Sequence, residues 1–517
     1  MKRALLCLAV GVMGFSQALA QFDADKIDEV AERAMDVFNT PGMSIAIVHK
    51  QELIYSKGFG QANIEQSTNV EPETYFRLAS TSKAFTAAAL AILVDEGKLK
   101  WDDLVIDYLP DFRLKDSYAT ANFTIEDLLT HKSGLVSGAG DSMIWPEPSG
   151  FSRDEVVHNL KYLTPDYDFR EQYAYSNVMY ITAGEVVEAV TQQRFEDFVD
   201  QRIFKALQMN CFAGDMPKKA LEQSAMAYGY NDERGIYPIP RNAIDGKPLM
   251  SAAAGGMVCN ASDMAKWLNA LLTVDPLPFS KTQLNKMWQA HTILSVSDTD
   301  TEWDGTHFRT YGLGWRLANY GPYKHISHTG TLSGYQAYVA LIPELELGAV
   351  VLNNGSNYGA RGAVMQSILK MFVDIDKEQA DWIKAYQDYQ DEREQAYLAR
   401  LETPKALAKP SIDEQSIIGE YKDAWYGSLI ISKSSSASDD GALRIHSTRM
   451  KSLTGKLRPF QDTSFKIVWD NQNAANDAFM HFDLDVKRNI IGAKLHPFSV
   501  NMSSRHEWRD MYFQRVE

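Results

Sequence analysis

Two pairs of β-rich runs stand far apart in this chain, and they constrain its fold more than any other feature. The runs are Met43–His49 and Leu53–Ser56 near one end, and Ala337–Ile342 and Leu347–Leu352 much later. Each pair predicts a β-hairpin, because short apolar runs flank a polar turn. Helical segments lie between the two hairpins. We therefore predict an α+β domain whose antiparallel sheet is completed by strands from both ends and is flanked by helices.

The chain is too long for one ordinary domain, having 517 residues with a globular composition of 45% hydrophobic and 23% charged residues. We predict that the first domain covers residues 21–373 and folds without the rest of the chain. Residues 374–410 are highly charged and predict a helical linker with too few apolar residues to belong to a core. Short strand-like runs separated by polar turns predict an all-β domain over residues 411–517.

The first 20 residues have the pattern of an export signal, with a charged start, a short apolar run and Ala18-Leu19-Ala20 at its end. We therefore expect a periplasmic or secreted protein, with residues 1–20 as the signal peptide. No segment has the roughly 20 uninterrupted apolar residues of a membrane span. The net charge of −15 argues against nucleic acid as a partner.

Cysteine usage leaves one question open and excludes one kind of site. Cys211 and Cys259 are the only cysteines beyond the export signal. They could join in an oxidising compartment, or remain two buried thiols. Neither has the close histidine or cysteine neighbours of a zinc site. We expect no metal and no cofactor.

The tetrapeptide Ser80-Thr81-Ser82-Lys83 begins an alanine-rich run that predicts a buried helix. A serine nucleophile needs a base, and a lysine three positions later lies one helical turn away on the same face. Burial and the helix dipole both favour the neutral amine of Lys83. The N–H of Ser80 could stabilise an oxyanion. A second match, from Ser367 to Lys370, we interpret as coincidence.

Two further motifs carry polar side chains suited to acyl transfer. Tyr175-Ser176-Asn177 precedes an apolar helix that we expect to begin near Tyr180. Its phenol could share a proton, although a buried structural tyrosine is the alternative. His328-Thr329-Gly330-Thr331 precedes a strand, and Gly330 allows close approach of a substrate backbone.

In this order the three motifs resemble S-x-x-K, Y-x-N and K/H-T/x-G of the serine β-lactamase and penicillin-binding-protein family, from Asp23 to about Val373. Three further stretches resemble the family as well: Thr124–Leu135, Ala254–Met257 and Tyr311–Trp315. The resemblance implies a β-lactamase/transpeptidase-like fold, and a small β-barrel as the C-terminal domain. It also implies site roles: Ser80 as nucleophile, Lys83 and Tyr175 as acid and base, and Asn177, His328, Gly330 and Thr331 as substrate-binding residues, with the Thr331 N–H in the oxyanion hole.

His328 occupies the position at which penicillin-binding proteins and the larger-pocket β-lactamases have a lysine. The histidine form is more similar to the family's esterases and D-aminopeptidases. We therefore expect an exported serine hydrolase that acts on a D-amino-acid peptide, a peptidoglycan fragment or a small ester. A β-lactamase and a non-catalytic binding protein on the same fold are the alternatives.

Overall fold

The computed structural model describes residues 22–239, 244–373, 380–402, 404–434, 442–471, 477–499 and 508–516. The predicted export signal, residues 1–20, lies outside the described residues. Among the helices of the described part, none is both long and apolar enough to cross a membrane.

A nine-stranded antiparallel sheet forms the centre of the first domain, in the order β3-β2-β1-β13-β12-β11-β10-β9-β8. β4 pairs with β7 and β5 with β6 in two small sheets. The strands are β1 (Gly42–His49), β2 (Glu52–Asn63), β3 (Thr68–Asn69), β4 (Phe76–Arg77), β5 (Tyr228–Asn231), β6 (Gly235–Pro238), β7 (Val258–Cys259), β8 (Thr292–Leu294), β9 (Arg309–Tyr311), β10 (Arg316–Tyr320), β11 (Tyr323–Leu332), β12 (Tyr335–Ile342) and β13 (Leu347–Asn353).

Pairing of β1 with β13 joins the two distant hairpins. The register runs from Met43 opposite Asn353 to His49 opposite Leu347. Seven of the eight β1 residues are buried, because helices cover both faces of the sheet at this position. The predicted α+β fold with strands from both ends is confirmed.

Helices pack on both faces of the sheet. α1, α13 and α14 lie on one face, and α2, α7 and α10 belong to the larger core on the other. The helices are α1 (Ala24–Val37), α2 (Lys83–Asp95), α3 (Val105–Tyr108), α4 (Ser117–Asn122), α5 (Ile125–Thr130), α6 (Arg153–Asn159), α7 (Asn177–Thr191), α8 (Phe195–Val199), α9 (Lys218–Glu222), α10 (Ala261–Thr273), α11 (Lys281–Met287), α12 (Asp298–Asp304), α13 (Tyr358–Val373) and α14 (Trp382–Arg400).

The beginning of α14 belongs to the core of the first domain. Trp382 and Ile383 are only 8% and 2% exposed, and the Trp382 ring lies 5.6 Å from that of Trp303. The expectation that the whole linker lies outside a core is therefore wrong for the first turn of this helix. Burial of a large apolar side chain contributes about 1.5–3 kcal/mol to stability. Two such side chains are enough to hold the first turn of the helix against the core, although the rest of the helix is charged. The division at residue 373 stays a proposal.

The C-terminal domain is a closed antiparallel barrel of eight strands. Along β18 buried residues alternate with half-buried ones, which is the period of two expected when one face lines a core. The predicted all-β, barrel-like domain is confirmed. Its strands are β14 (Gly419–Asp423), β15 (Gly427–Lys433), β16 (Leu443–Ser447), β17 (Thr454–Gln461), β18 (Ser464–Trp469), β19 (Ala478–Leu484), β20 (Ile490–Pro497) and β21 (Phe513–Arg515).

A disulfide joins Cys211 to Cys259, with the two Cα atoms 4.4 Å apart. This answers the question that the sequence left open. Cys259 lies on β7 and pairs with Phe76 of β4, the strand that leads to Ser80. The disulfide therefore ties a loop to the strand beside the S-x-x-K motif.

Candidate active site

Ser80 lies in a tight 3-10 turn, Ala79–Ser82, between β4 and α2. Ala79 has φ 48°, in the left-handed region that alanine rarely adopts. β11 passes close to this turn because Gly330 has no side chain. A Cβ at Gly330 would lie 2.3 Å from the Leu78 carbonyl oxygen and 3.1 Å from the Ser80 nitrogen. The missing side chain at Gly330 therefore lets β11 pack against the turn that carries Ser80. The sequence analysis attributed this glycine to close approach of a substrate instead.

A cleft of about 470 Å³ opens where this turn meets β11. It brings together most of the residues that the motifs singled out. Its lining consists of Ala79, Ser80, Asp141, Trp145, Pro146, Tyr175, Asn177, Gly255, Arg316, Thr329, Thr331, Leu332 and Ser333.

Lys83 is completely buried beneath the cleft. Its Nζ lies 2.8 Å from Asn177 Oδ1, 2.6 Å from the Ala254 carbonyl oxygen and 3.3 Å from Ser80 Oγ. Burial holds the pKa of Lys83 well below its ordinary value; Asp141 opposes this effect, and Arg316 adds to it. A neutral amine has two N–H donors, and the two carbonyl oxygens occupy both. Its lone pair is then free to face the Ser80 hydroxyl.

Tyr175 lines the cleft, and the Nζ of Lys83 lies 4.7 Å from the centre of its phenol ring. Its hydroxyl is buried and makes no hydrogen bond of standard geometry with the described residues. Burial raises the pKa of Tyr175 well above its ordinary value, and Arg316 and Ser80 lower it in part. The phenol is therefore protonated at neutral pH and can donate.

His131 holds the backbone on both sides of Tyr175. Its Nδ1 accepts the N–H of Ser176 at 3.1 Å, and its carbonyl oxygen accepts the N–H of Ala174 at 2.8 Å. The imidazole lies 4.2 Å from the Tyr175 ring, measured between centroids. Burial holds the pKa of His131 well below its ordinary value, so the ring is neutral and Nδ1 can accept.

Asn177 is the first residue of α7, so the helix begins three residues earlier than the sequence predicted. Its Nδ2 donates to both carboxylate oxygens of Asp141, at 3.0 and 3.2 Å, while its Oδ1 accepts from Lys83. One carboxamide therefore connects the acidic wall of the cleft to the buried amine. Sequence reasoning missed Asp141, which stands in a glycine-rich loop without a motif of its own.

Arg316 is the second charged residue in the lining and was also missed. Its Nη1 donates to Thr329 Oγ1 at 3.3 Å, and its guanidinium lies 5.9 Å from the centre of the Tyr175 ring. This cation lowers the pKa of Lys83 and of Tyr175. The only sequence signal was its position directly after the family-like stretch Tyr311–Trp315.

His328 lies behind the cleft wall rather than in the lining. Its Nδ1 donates to the Thr329 carbonyl oxygen at 2.7 Å, and its Nε2 accepts from the Tyr311 hydroxyl at 2.9 Å. This assignment follows because a carbonyl oxygen only accepts. Burial, with Arg316 adding to it, holds the pKa of His328 well below its ordinary value. The position at which the resembling enzymes carry a lysine is therefore uncharged here.

Arg361 of α13 fastens the end of β11. Its guanidinium donates to the Gly330 carbonyl oxygen, and its Nη2 donates to Thr331 Oγ1 at 3.0 Å. Thr331 itself lines the cleft. The second S-x-x-K match is buried within α13, where Ser367 Oγ donates to the Ala363 carbonyl oxygen at 2.8 Å, and it forms no part of the cleft lining.

Two family models match the chain, one for each domain. The model described as Beta-lactamase matches residues 27–367. The model described as Domain of unknown function (DUF3471) matches residues 403–514. An unguisins hydrolase, ungD′, from Aspergillus campestris is 30% identical over 426 residues, which are 78% of this chain and 76% of that protein.

Solved structures share the fold at lower identity. The octameric penicillin-binding protein homologue from Pyrococcus abyssi is 22% identical with a TM-score of 0.60, covering 96% of this chain and 100% of that one. The D-amino acid amidase from Ochrobactrum anthropi SV3, complexed with L-phenylalanine, is 21% identical with a TM-score of 0.57, covering 68% of this chain and 99% of that one.

Proposed function

Because this chain belongs to the β-lactamase family and is a serine hydrolase, we propose that it cleaves an amide or ester bond through an acyl-enzyme on Ser80. We propose as substrate a D-amino-acid peptide, a peptidoglycan fragment or a small ester. The observation that carries the proposal is the environment of Lys83. Its two carbonyl acceptors and its lowered pKa leave a lone pair for the Ser80 hydroxyl, 3.3 Å away.

In the proposed acylation, Ser80 Oγ attacks the substrate carbonyl carbon while its proton passes to Lys83 Nζ. The N–H groups of Ser80 and Thr331 stabilise the oxyanion of the tetrahedral intermediate. As this intermediate collapses, the bond to the leaving group breaks, and the leaving nitrogen or oxygen takes the proton of Tyr175. The proton on Lys83 then restores the phenol.

Deacylation uses the same groups, and the proton transfers run in the opposite direction. Water attacks the Ser80 ester and gives its proton to the Lys83–Tyr175 pair, which returns a proton to Ser80 Oγ as the acid product leaves. Asn177 serves both steps, since it binds Lys83 and faces the cleft. Each residue ends the cycle in its starting protonation state.

The names of similar proteins support an amide or peptide bond as the target. One relative is an unguisins hydrolase, and one structural neighbour is a D-amino acid amidase. At the position of the family's lysine, the neutral His328 offers no ammonium group, which favours a peptide or ester over a β-lactam; the positive charge of the cleft lining comes from Arg316 instead. A non-catalytic binding protein is disfavoured, because a buried amine of lowered pKa beside a serine is costly to maintain without a chemical use.

The proposal that the protein is exported rests on its first 20 residues. The Cys211–Cys259 disulfide is consistent with an oxidising compartment. We propose a periplasmic or secreted location with no membrane span. N-terminal sequencing of the protein recovered from the cell envelope tests this. A mature chain that begins near Gln21 is the expected result, and a chain that retains Met1 in the cytoplasm would contradict it.

A panel of D-alanyl amides, p-nitrophenyl esters and nitrocefin tests the reaction, combined with fluorophosphonate labelling of Ser80. We expect labelling and turnover of amides or esters, and nitrocefin turnover slower by about 10- to 100-fold, as the loss of one charged contact to the substrate implies. Efficient nitrocefin hydrolysis would favour a β-lactamase. An unlabelled Ser80 would favour a binding protein.

A further inference from the structure

The segment from Asp141 to α6 forms one wall of the cleft. Asp141, Trp145 and Pro146 belong to the lining, and Asp141 binds the Asn177 amide. The wall therefore supplies both a charge beside Lys83 and apolar surface for a substrate.

The near side of this wall is fastened within the first domain. Glu147 is buried and forms an ion pair with Arg77 of β4 at 2.7 Å. Its other carboxylate oxygen accepts from the Ser251 hydroxyl at 2.6 Å. These contacts fix the position of Glu147, which follows Trp145 and Pro146 in the sequence.

The far side of the wall rests on the C-terminal barrel. A Cβ at Gly150 would lie 2.2 Å from the carbonyl oxygen of Arg449, so the two backbones are in direct contact. The Phe151 ring lies 4.5 Å from the Arg449 guanidinium and 5.9 Å from the Tyr426 ring. Phe151 is buried as a result.

The helix that follows the wall is held by the same barrel residues or their neighbours. Arg449 forms an ion pair with Glu155 of α6. Asn159 at the end of α6 donates to the Trp425 carbonyl oxygen at 3.3 Å, and its Nδ2 lies 3.7 Å from Met143 Sδ within the wall. Asn159 therefore links the barrel to Met143, two residues after Asp141 of the cleft lining.

A second contact reaches the segment that leads to Tyr175. Arg509 forms an ion pair with Asp166 at 2.7 Å, and the Asp166 N–H donates to the Gly134 carbonyl oxygen at 3.0 Å. The barrel thus contacts the two segments that carry Asp141 and Tyr175.

We propose that the C-terminal barrel is a positioning element of the active site, in which Arg449 and Tyr426 hold the wall from Asp141 to Phe151 in place for larger substrates. The inference rests on the proposed hydrolase function, and it assigns a role to the domain matched by the model of unknown function. Arg449 and Tyr426 lie outside the cleft lining. They act through Gly150, Phe151 and α6.

The test compares Arg449→Ala with Arg444→Ala in the full chain. Arg444 also forms an ion pair on the barrel, with Asp470, and serves as the matched control. The substrates are D-phenylalanine p-nitroanilide, whose ring needs the wall, and p-nitrophenyl acetate, which is too small to reach it. For Arg449→Ala we expect kcat/KM on the anilide to fall about tenfold, mostly through KM, with the acetate within about twofold. Arg449→Lys should recover most of the loss, since lysine can keep both the ion pair and the ring contact.

Gly150→Ala is the second variant, because its Cβ would collide with the Arg449 carbonyl oxygen and displace the wall, while the Arg449 side chain with its ion pair and ring contact is retained. We expect the same selective rise in KM. Equal kinetics of Arg449→Ala and the wild type, or an equal loss in Arg444→Ala, would overturn the positioning role while leaving the hydrolase assignment intact. A wild-type chain that neither turns over any substrate nor labels on Ser80 would overturn both.

Discussion

Lys83 Nζ donates to Asn177 Oδ1 at 2.8 Å, across 94 positions of sequence. The same carboxamide donates through Nδ2 to Asp141. A single asparagine therefore orients the proposed base and couples it to a carboxylate in the cleft.

Replacement of the proposed nucleophile should abolish turnover and leave the fold intact. Ser80→Ala removes one half-buried hydroxyl, and we expect the free energy of unfolding to change by about 1 kcal/mol at most. Mass spectrometry of the chain incubated with a fluorophosphonate checks the assignment. An adduct on another serine, including Ser367, would contradict it.

The Lys83 and Tyr175 variants should not have additive effects. Because the proposed mechanism passes one proton between the two side chains, we expect Lys83→Met and Tyr175→Phe each to slow acylation by about 10³-fold. The double variant should be little slower than either one. Single-turnover rates on a p-nitrophenyl ester measure this. Multiplied losses would show that the two groups act independently.

Two charge substitutions should shift the acid limb of the pH profile in opposite directions. Asp141 raises and Arg316 lowers the pKa of Lys83. The neutral base is lost as pH falls through this pKa. In Asp141→Asn the pKa of Lys83 falls further, so activity should persist to lower pH; in Arg316→Gln it rises, so activity should fail at higher pH.

The dependence of kcat/KM on pH reports these ionisations in the free enzyme. Wild type and both variants should be compared at one ionic strength, because salt screens exposed charges more than buried ones. Shifts of the same sign in both variants would exclude Lys83 as the titrating base.

His131 should be replaceable by asparagine but not by leucine. An asparagine Oδ1 can accept the Ser176 N–H in place of Nδ1, and asparagine tolerates the φ of 58° found here. Leucine would leave that buried N–H unpaired, costing about 1–3 kcal/mol of stability. His131→Leu should also lower kcat roughly 10- to 100-fold, because Tyr175 would be displaced. Equal kcat values in the two variants would argue against a positioning role.

The first turn of α14 should stabilise the first domain while its far end does not. We expect Trp382→Ala to lower the free energy of unfolding by about 3 kcal/mol. Tyr397→Ala, on the same helix but 52% exposed, should change it by about 0.5 kcal/mol or less. Urea unfolding followed by fluorescence and circular dichroism measures both. If Trp382→Ala lowered the free energy of unfolding no more than Tyr397→Ala, the first turn of α14 would not stabilise the first domain.

The sequence alone predicted the architecture well, since hairpins and barrel strands are local patterns. Alternation of apolar residues, turn residues and one helical turn between Ser80 and Lys83 are all written within a few positions of each other. The bounds of α7 and the burial of Trp382 were not predictable in this way. A polar residue such as Asn177 can begin a helix when a distant partner binds it, and a charged helix can still bury its first turn.

What the sequence by itself determined was the fold class, the two-domain order and the presence of a serine one turn before a lysine, because these depend on spacing along the chain. Tertiary structure decided which charges surround Lys83, that His328 is neutral and lies outside the cleft lining, and that barrel residues contact the segment from Asp141 to Phe151. Electrostatic effects and burial depend on distances through space. Asp141, Arg316 and Arg449 therefore acquire their significance only when the chain is folded.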